Sequence, residues 1–288
     1  MGTAVAERLR KAGHRLSGLA RSDSAAEQLH AAAVQPVRGD LADAATVGAA
    51  ARAADATISM ASASHAQVDG PAVDAILAAL SGSDKPFIYT DGIWSFGDTG
   101  GVVADEDTPP KPIPMVQWRL AVVERVLLAT RLRIRTVVIR PGMVYGRGGG
   151  IPAGFAESAR KEGAARVVGT GENRWTMVHV EDLADLYLLA LEQAPAGVLL
   201  VGVGVESVKV RELAAAASRG ADADGRIFTW PLDEARMELG QHADALALDQ
   251  QASGTRARKI LGWHPHGPDP LEDLERGSYV SFARRAVS

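Results

Sequence analysis

The residues with chemistry to offer sit at the ends of apolar runs. Residues 134–150 read IRTVVIRPGMVYGRGGG, a β-branched run broken at Pro141-Gly142 and closed by a glycine-rich stretch around Arg147. Proline gives no amide to a ladder and glycine takes backbone angles closed to other residues, so the chain is expected to leave the sheet sharply after Arg140. Glycine-rich loops expose amides that accept anions, which makes Arg147 part of an anion site or, equally, of a flexible hinge. Tyr145, four residues past Pro141, brings a hydroxyl for proton transfer or a ring for packing. Thr90 and Asp91 close an earlier apolar run. Asp91 could act as a base were burial to raise its pKa, or form a turn ahead of Gly92. Trp94, Arg174, Trp175 and His179 are groups able to hold a substrate; His179, between two valines, either faces a cleft or caps the helix expected at Glu181-Asp182. No His/Asp/Glu set has metal-ligand spacing, so no metal is expected. No serine lies in a G-x-S-x-G elbow, which argues against a hydrolase.

The elements that must position these residues alternate. Helical periodicity at 3–12 gives way to a strand at 14–20. Ser24-x-x-Glu27 has the form of a capping box for a helix running to about 33. A strand at 34–38, a helix capped by Asp43, a strand at 56–60, a helix at 68–80 and a strand at 86–89 follow. Residues 97–114 hold four prolines and several acids, too broken for a helix. A helix at 115–129 leads into the run that ends at Pro141-Gly142. Strands separated by helices imply an α/β fold with a doubly wound parallel sheet. Ligands of such sheets lie beyond the carboxyl ends of the strands, so chemistry is expected at the Pro141-Gly142 break. Past residue 150 the pattern predicts helices at 155–161, 181–193 and 210–217 and strands at 175–180 and 198–203. The chain therefore divides into a doubly wound part, 1–150, and a smaller lobe, 151–288, partly interleaved with it.

Composition narrows the classes. The chain has 288 residues, 47% of them hydrophobic, and a net charge of −4 with acids and bases mixed, so no basic face argues for nucleic acid. It contains no cysteine, which removes disulfides, thiolate catalysis and cysteine zinc sites. No apolar run approaches the roughly 20 residues of a membrane span, no signal core opens the chain, and Ala6 breaks the lipidation motif that Met1-Gly2 would start. A cytoplasmic protein is expected.

Five segments carry a family resemblance: Arg38-Gly39-Asp40-Leu41, FIYTDGIWSFG at 87–97, RPGMVYG at 140–146, VHVEDLA at 178–184, and Leu261-Gly262-Trp263. In this order they resemble the extended short-chain dehydrogenase/reductases of the NAD-dependent epimerase/dehydratase type, over essentially the whole chain. The resemblance implies a Rossmann-like sheet and a nicotinamide cofactor lying across the strand tips, its reactive ring against Pro141 and Gly142. By its place, Gly2 matches the last glycine of the family's GxxGxxG turn. The first strand and the two earlier glycines have no counterpart, which implies a gap in the middle of the sheet. Either the chain was started late or the pyrophosphate cradle is lost; the intact remainder of the nucleotide half favours a late start. Arg21, followed by Ser22, stands where an acid would bind the ribose of NAD, and an arginine there suits the phosphate of NADP. NADP is therefore the expected cofactor, with NAD the alternative. Asp40 and Leu41 would flank the adenine, and Met60, Ala61 and Ser62 would line the phosphate and ribose.

The family's proton relay uses Ser/Thr, Tyr and Lys. Alignment places Gly92, Met115 and Arg119 at those positions, and neither methionine nor arginine exchanges a proton. The resemblance leaves Arg119 as a fixed cation for a ribose, phosphate or substrate oxygen, with Thr90 and Asp91 beside the nicotinamide as the remaining catalytic candidates. Three readings follow: an NADP-dependent oxidoreductase or epimerase-like enzyme acting on a small carbonyl or sugar-derived substrate, a non-catalytic NADP(H)-binding sensor or interaction protein, and a chain that binds no cofactor. The family also implies a homodimer through the helix at 115–129.

Overall fold

The computed structural model describes residues 1–60 and 66–280. The strands are β1 (Ser17–Ala20), β2 (Gln35–Arg38), β3 (Thr57–Ser59), β4 (Pro86–Thr90), β5 (Val103–Ala104), β6 (Arg135–Pro141), β7 (Met143–Tyr145), β8 (Ala165–Val168), β9 (Arg174–His179), β10 (Val198–Gly202), β11 (Val205–Lys209), β12 (Ile227–Trp230) and β13 (Gln251–Ala252). The helices are α1 (Gly2–Lys11), α2 (Asp23–Ala31), α3 (Ala44–Ala53), α4 (Ala66–Leu80), α5 (Arg119–Leu128), α6 (Ala153–Glu162), α7 (Val180–Gln193), α8 (Val210–Gly220), α9 (Leu232–Leu239), α10 (Gln241–Ala247), α11 (Thr255–Leu261) and α12 (Pro270–Arg276).

The fold is a Rossmann-like α/β arrangement whose parallel layer comes in two pieces. β1 and β2 pair with each other, and a separate four-stranded parallel sheet runs β10-β6-β4-β3. Helices join the pieces. Ala4, Val5 and Leu9 of α1 share a buried cluster with Ile88, Val137, Ile139 and the apolar face of α7. On the opposite face, Val47 and Ala51 of α3 pack with α4, α5, Phe87 and Val138. Strand β10 comes from the second half of the chain, so residues 180–202 return to the parallel layer while β7, β9 and β11 form a sheet of their own.

The break at Pro141-Gly142 works as a transfer between sheets. β6 runs through Pro141, one residue further than the sequence implied, with Pro141 in register with Gly202. Gly142 then donates its amide to the Gly202 carbonyl at 3.0 Å and β7 joins β9. A Cβ at Gly142 would stand 3.0 Å from the Thr176 carbonyl oxygen and 3.2 Å from Val203, so a side chain there would crowd the crossing.

Three element boundaries differ from expectation for local reasons. The helix expected at 115–129 is three pieces: a 3-10 turn at Pro114–Val116, α5 from Arg119, and a second 3-10 turn at Ala129–Leu132. Pro112 and Pro114 delay the α-helix, and Arg119 becomes its first residue. α2 opens before the Ser24 box because Ser22, in extended conformation, accepts the Ala25 amide at 3.1 Å and caps it. The 97–114 loop contains β5, which pairs with β13.

Candidate functional site

At the carboxyl end of β4, strand alternation sends successive side chains to opposite faces. Thr90 turns toward α7, where its hydroxyl lies 2.6 Å from that of Tyr187. Tyr89 turns toward α4 and α5 and donates to the Asp69 carboxyl at 2.6 Å. Arg119 reaches the same spot from the first turn of α5. Its Nη1 donates to the Tyr89 hydroxyl at 3.5 Å and to the Thr90 carbonyl at 3.3 Å, and its guanidinium lies 4.7 Å from the Trp118 ring centroid. Asp69, Tyr89, Thr90 and Arg119 are all buried. Burial pushes the Asp69 carboxyl up, against the downward pull of the Tyr89 hydrogen bond and the Arg119 charge. Burial likewise pushes the Tyr89 phenol far up, reinforced by its hydrogen bond to Asp69, and burial raises Tyr187 as well. Both phenols therefore stay protonated at neutral pH.

Asp91 begins the turn after β4, and the structure gives its carboxylate two partners. Arg140 Nε donates to Oδ2 at 2.8 Å and Ser95 Oγ to Oδ1 at 2.8 Å, with the Asp91 and Arg140 side chains 0% and 3% exposed. Arg140 also stacks 4.4 Å over Phe96. An acid with both oxygens engaged and a buried cation beside it has the geometry of a strut tying the β4 turn to β6. The free carboxylate that a base requires is not what the geometry offers.

Several other candidates are taken up by packing. His179 caps α7, its Nδ1 accepting the Glu181 amide at 3.4 Å, with its ring edge-on to Tyr145 at 5.2 Å. Tyr145 donates to the Pro268 carbonyl at 2.5 Å. Arg147 ties its loop to two helices through Glu7 at 2.8 Å and Glu181 at 2.6 Å. The expected anion-binding amides of that loop are occupied: Gly146 donates to Tyr279 Oη and Gly148 to Ser278 Oγ, both at 3.0 Å. Arg174 donates to Ser207 at 3.1 Å, and Trp175 to the Leu246 carbonyl at 3.3 Å. Trp94 is half-buried beside His242.

The polar groups at the ends of β1 and β2 are more open. Arg21 is 79% exposed at the tip of β1, with only a 3.9 Å approach to Asp40. Asp40 accepts the Ala42 amide at 2.8 Å, and Leu41 packs on the α3–α5 cluster. Met60 borders the α1–α7 cluster. Ala61 and Ser62 lie outside the described residues. The amino end of α1 has no side-chain cap, and a Cβ at Gly2 would meet nothing within 4 Å. The uncapped start of α1 and the exposed Arg21 guanidinium are donors that suit phosphates, and the Asp40 carboxylate is an acceptor that suits ribose hydroxyls, so these groups fit a dinucleotide.

Comparison with known proteins decides the family. The model of the NAD dependent epimerase/dehydratase family matches residues 1–202. The chain belongs to this family. An uncharacterized protein of Saccharomyces cerevisiae is 30% identical over 97% of this chain and 95% of its own length. One of Schizosaccharomyces pombe is 28% identical over 97% and 96%. Among solved structures, the UDP-glucose 4-epimerase of Thermotoga maritima, determined with UDP-glucose, superposes with a TM-score of 0.83 at 18% identity, covering 100% of this chain and 96% of that one. The dTDP-glucose 4,6-dehydratase of Streptomyces venezuelae, with NAD bound, gives 0.81 at 17% identity, covering 99% and 95%. These likenesses establish the fold.

Within this epimerase/dehydratase-family chain, sequence reasoning passed over Asp69, Tyr89, Tyr187 and Arg140. Asp69 and Tyr187 carried a signal, a polar group within an apolar helical face. Arg140 carried none: it is the pairing of β4 on β6, with Thr90 opposite Ile139, that makes Asp91 and Arg140 neighbours. A cavity of about 390 Å³ in the second half of the chain was also not foreseen. Phe155, Lys161, Arg166, Trp175, Trp230 and Leu246 contribute to its wall, and its lining shares no residue with the Arg119 cluster.

Proposed function

We propose that this chain is an NADP-dependent oxidoreductase of the epimerase/dehydratase kind, acting on a small carbonyl or sugar-derived substrate with the family's proton relay replaced. The observation that carries the reading is Arg119, a buried cation braced by Tyr89 and the Thr90 carbonyl where the parallel strands end. The nicotinamide, when bound, supplies or accepts the hydride. Arg21 would take the 2′-phosphate, the start of α1 the pyrophosphate, and Arg119 an oxygen of ribose or substrate. Arginine cannot pass a proton, so its part is to fix and polarise that oxygen. Thr90, whose hydroxyl pairs with Tyr187, stands at the same strand end. Asp91 holds the turn in place. The 390 Å³ cavity is within the size of small-molecule sites and supports a substrate end in the second half of the chain.

The test is titration of NADPH and NADH by fluorescence on the wild type and Arg21→Ala, followed by hydride transfer to aldehydes, ketones and nucleotide sugars. A charge-assisted phosphate contact is worth about 1.5–3 kcal/mol. For so exposed an arginine the lower end applies, so Arg21→Ala should weaken NADPH about tenfold and leave NADH unchanged. Equal loss for both nucleotides, or tighter binding of NADH by the wild type, overturns the NADP assignment. A second reading, a non-catalytic NADP(H) sensor, is favoured by Met115 and Arg119 standing where the family's relay has tyrosine and lysine. Tight NADPH binding with no turnover across the panel would select it.

A further inference from the structure

One face of α6 forms a wall of the 390 Å³ cavity. Gly154, Phe155, Ser158, Lys161 and Glu162 recur at the three- and four-residue spacing that brings side chains to one side of a helix. β8 forms another wall. Arg166 and Val168, two residues apart, share a face of that strand, and Trp230 of β12 pairs with Val168. Trp175 and Leu246 also line the space.

The apolar part of this lining is aromatic. Phe155 stacks on Trp175 with ring centroids 5.7 Å apart, and Trp175 spends its indole N–H on the Leu246 carbonyl. The polar part is engaged with itself. Ser158 Oγ donates to the Gly154 carbonyl at 2.8 Å and accepts the Arg166 amide at 3.0 Å. The Arg166 guanidinium lies 4.7 Å from the Trp230 ring centroid, with the Glu162 carboxylate at 3.2 Å and that of Glu238 at 3.5 Å. Among the described lining residues the carboxylates of Glu157, Glu162 and Glu238 face the cations of Lys161 and Arg166, so the charge balance is acidic. Arg166 already has two of those acids, and Glu157 stands one turn before Lys161 on the same helix. A diphosphate is held by charge-assisted bonds from uncommitted cations, and this lining does not gather them. An apolar cavity of about 150 Å³ holds benzene, so a space of 390 Å³ with ring-bearing walls has room for a substituted ring.

We propose that this cavity holds the aromatic or branched aliphatic body of a neutral carbonyl substrate and that its acidic lining turns nucleotide sugars away. This rests on the proposed function in taking the cavity as the substrate end, and it narrows the substrate from small carbonyl or sugar-derived compounds to uncharged apolar ones.

The probes are benzylacetone, a neutral ketone carrying a phenyl ring, and UDP-glucose, each titrated on the full-length chain with and without NADPH. Trp175 and Trp230 stand in the lining, so tryptophan fluorescence reads occupancy. The expected result is saturable binding of benzylacetone, about tenfold or more tighter than UDP-glucose. Gly154 supplies the variant. A Cβ there would meet nothing within 4 Å, and leucine is a better helix former than glycine. Gly154→Leu therefore narrows the cavity without straining α6, and should weaken benzylacetone about tenfold while its circular dichroism stays that of the wild type. UDP-glucose binding as tightly as benzylacetone, no saturable binding of the ketone, or a folded Gly154→Leu that binds benzylacetone like the wild type each overturn the proposal. The comparison of the two ligands on the wild type decides even where the variant fails to fold. If NADPH itself fails to bind, the proposed function falls, while the titrations without nucleotide still decide what the cavity holds.

Discussion

Removing Asp91 should unfold this protein before it could reveal any role in proton transfer. The pair with Arg140 is 2.8 Å long and almost fully shielded, with side chains 0% and 3% exposed. Breaking a pair of this kind from one side costs about 3–5 kcal/mol because the other charge stays buried and uncompensated. Asp91→Ala also removes the Ser95 acceptor, a further loss of about 1 kcal/mol. Native stabilities run about 5–15 kcal/mol, so Asp91→Ala should consume a large share of the total. Asp91→Asn keeps the shape and one oxygen and should cost roughly half as much. Arg140→Met leaves the carboxylate in the same shielded place with Ser95 as its remaining partner, and should cost about 3–5 kcal/mol by the same reasoning. Urea unfolding followed by circular dichroism from pH 5 to 8 measures all three, with an unchanged denaturant slope as the control. If Asp91→Ala and Asp91→Asn both stay within about 0.5 kcal/mol of wild type, the usual range for an exposed site, the strut is refuted and Asp91 returns as a free carboxylate.

Two further outcomes follow from the same geometry. Burial raises the Asp69 carboxyl above its ordinary 3.8, so this group favours the fold at low pH and loses that contribution as pH rises from 3.8 through the raised value; Asp69→Asn should remove that slope, read as the difference in urea midpoints between variant and wild type across the acid range, and parallel curves would contradict it. The β1–β2 pair is joined to no other strand among the described residues, and a two-stranded pair is marginal alone, so amides of Ser17–Ala20 should exchange with deuterium at least tenfold faster than those of Ile88 and Val138; equal protection would mean that α1 and α3 make the two pieces one cooperative unit.

What was legible in the chain depended on how far each signal reaches. The Pro141-Gly142 crossing is written in two adjacent residues whose backbone demands hold in any context, and the structure shifts it by one position. Asp43 capping α3 is similarly local: its carboxylate accepts the Ala45 and Thr46 amides three residues or fewer away. The alternation of helices and strands that implied a parallel sheet is a sum of such local signals. The site candidates were of a different kind. Arg147 and its glycines have the composition of an anion loop, but their amides are taken by Ser278 and Tyr279, far along the chain. Asp91 looked like an acid ahead of a glycine turn, and only the register of β4 on β6 brings Arg140 to it. His179 kept both readings open because strand alternation fixes which way a side chain points and says nothing of its partner; the partner proved to be the next helix. Residue type thus marks where polar groups gather, and pairing decides which of them stay available. By that criterion Arg21 gains weight as a ligand contact, since it remains open to solvent, whereas Tyr145, Arg147 and His179 lose weight because the fold has already used their polar atoms.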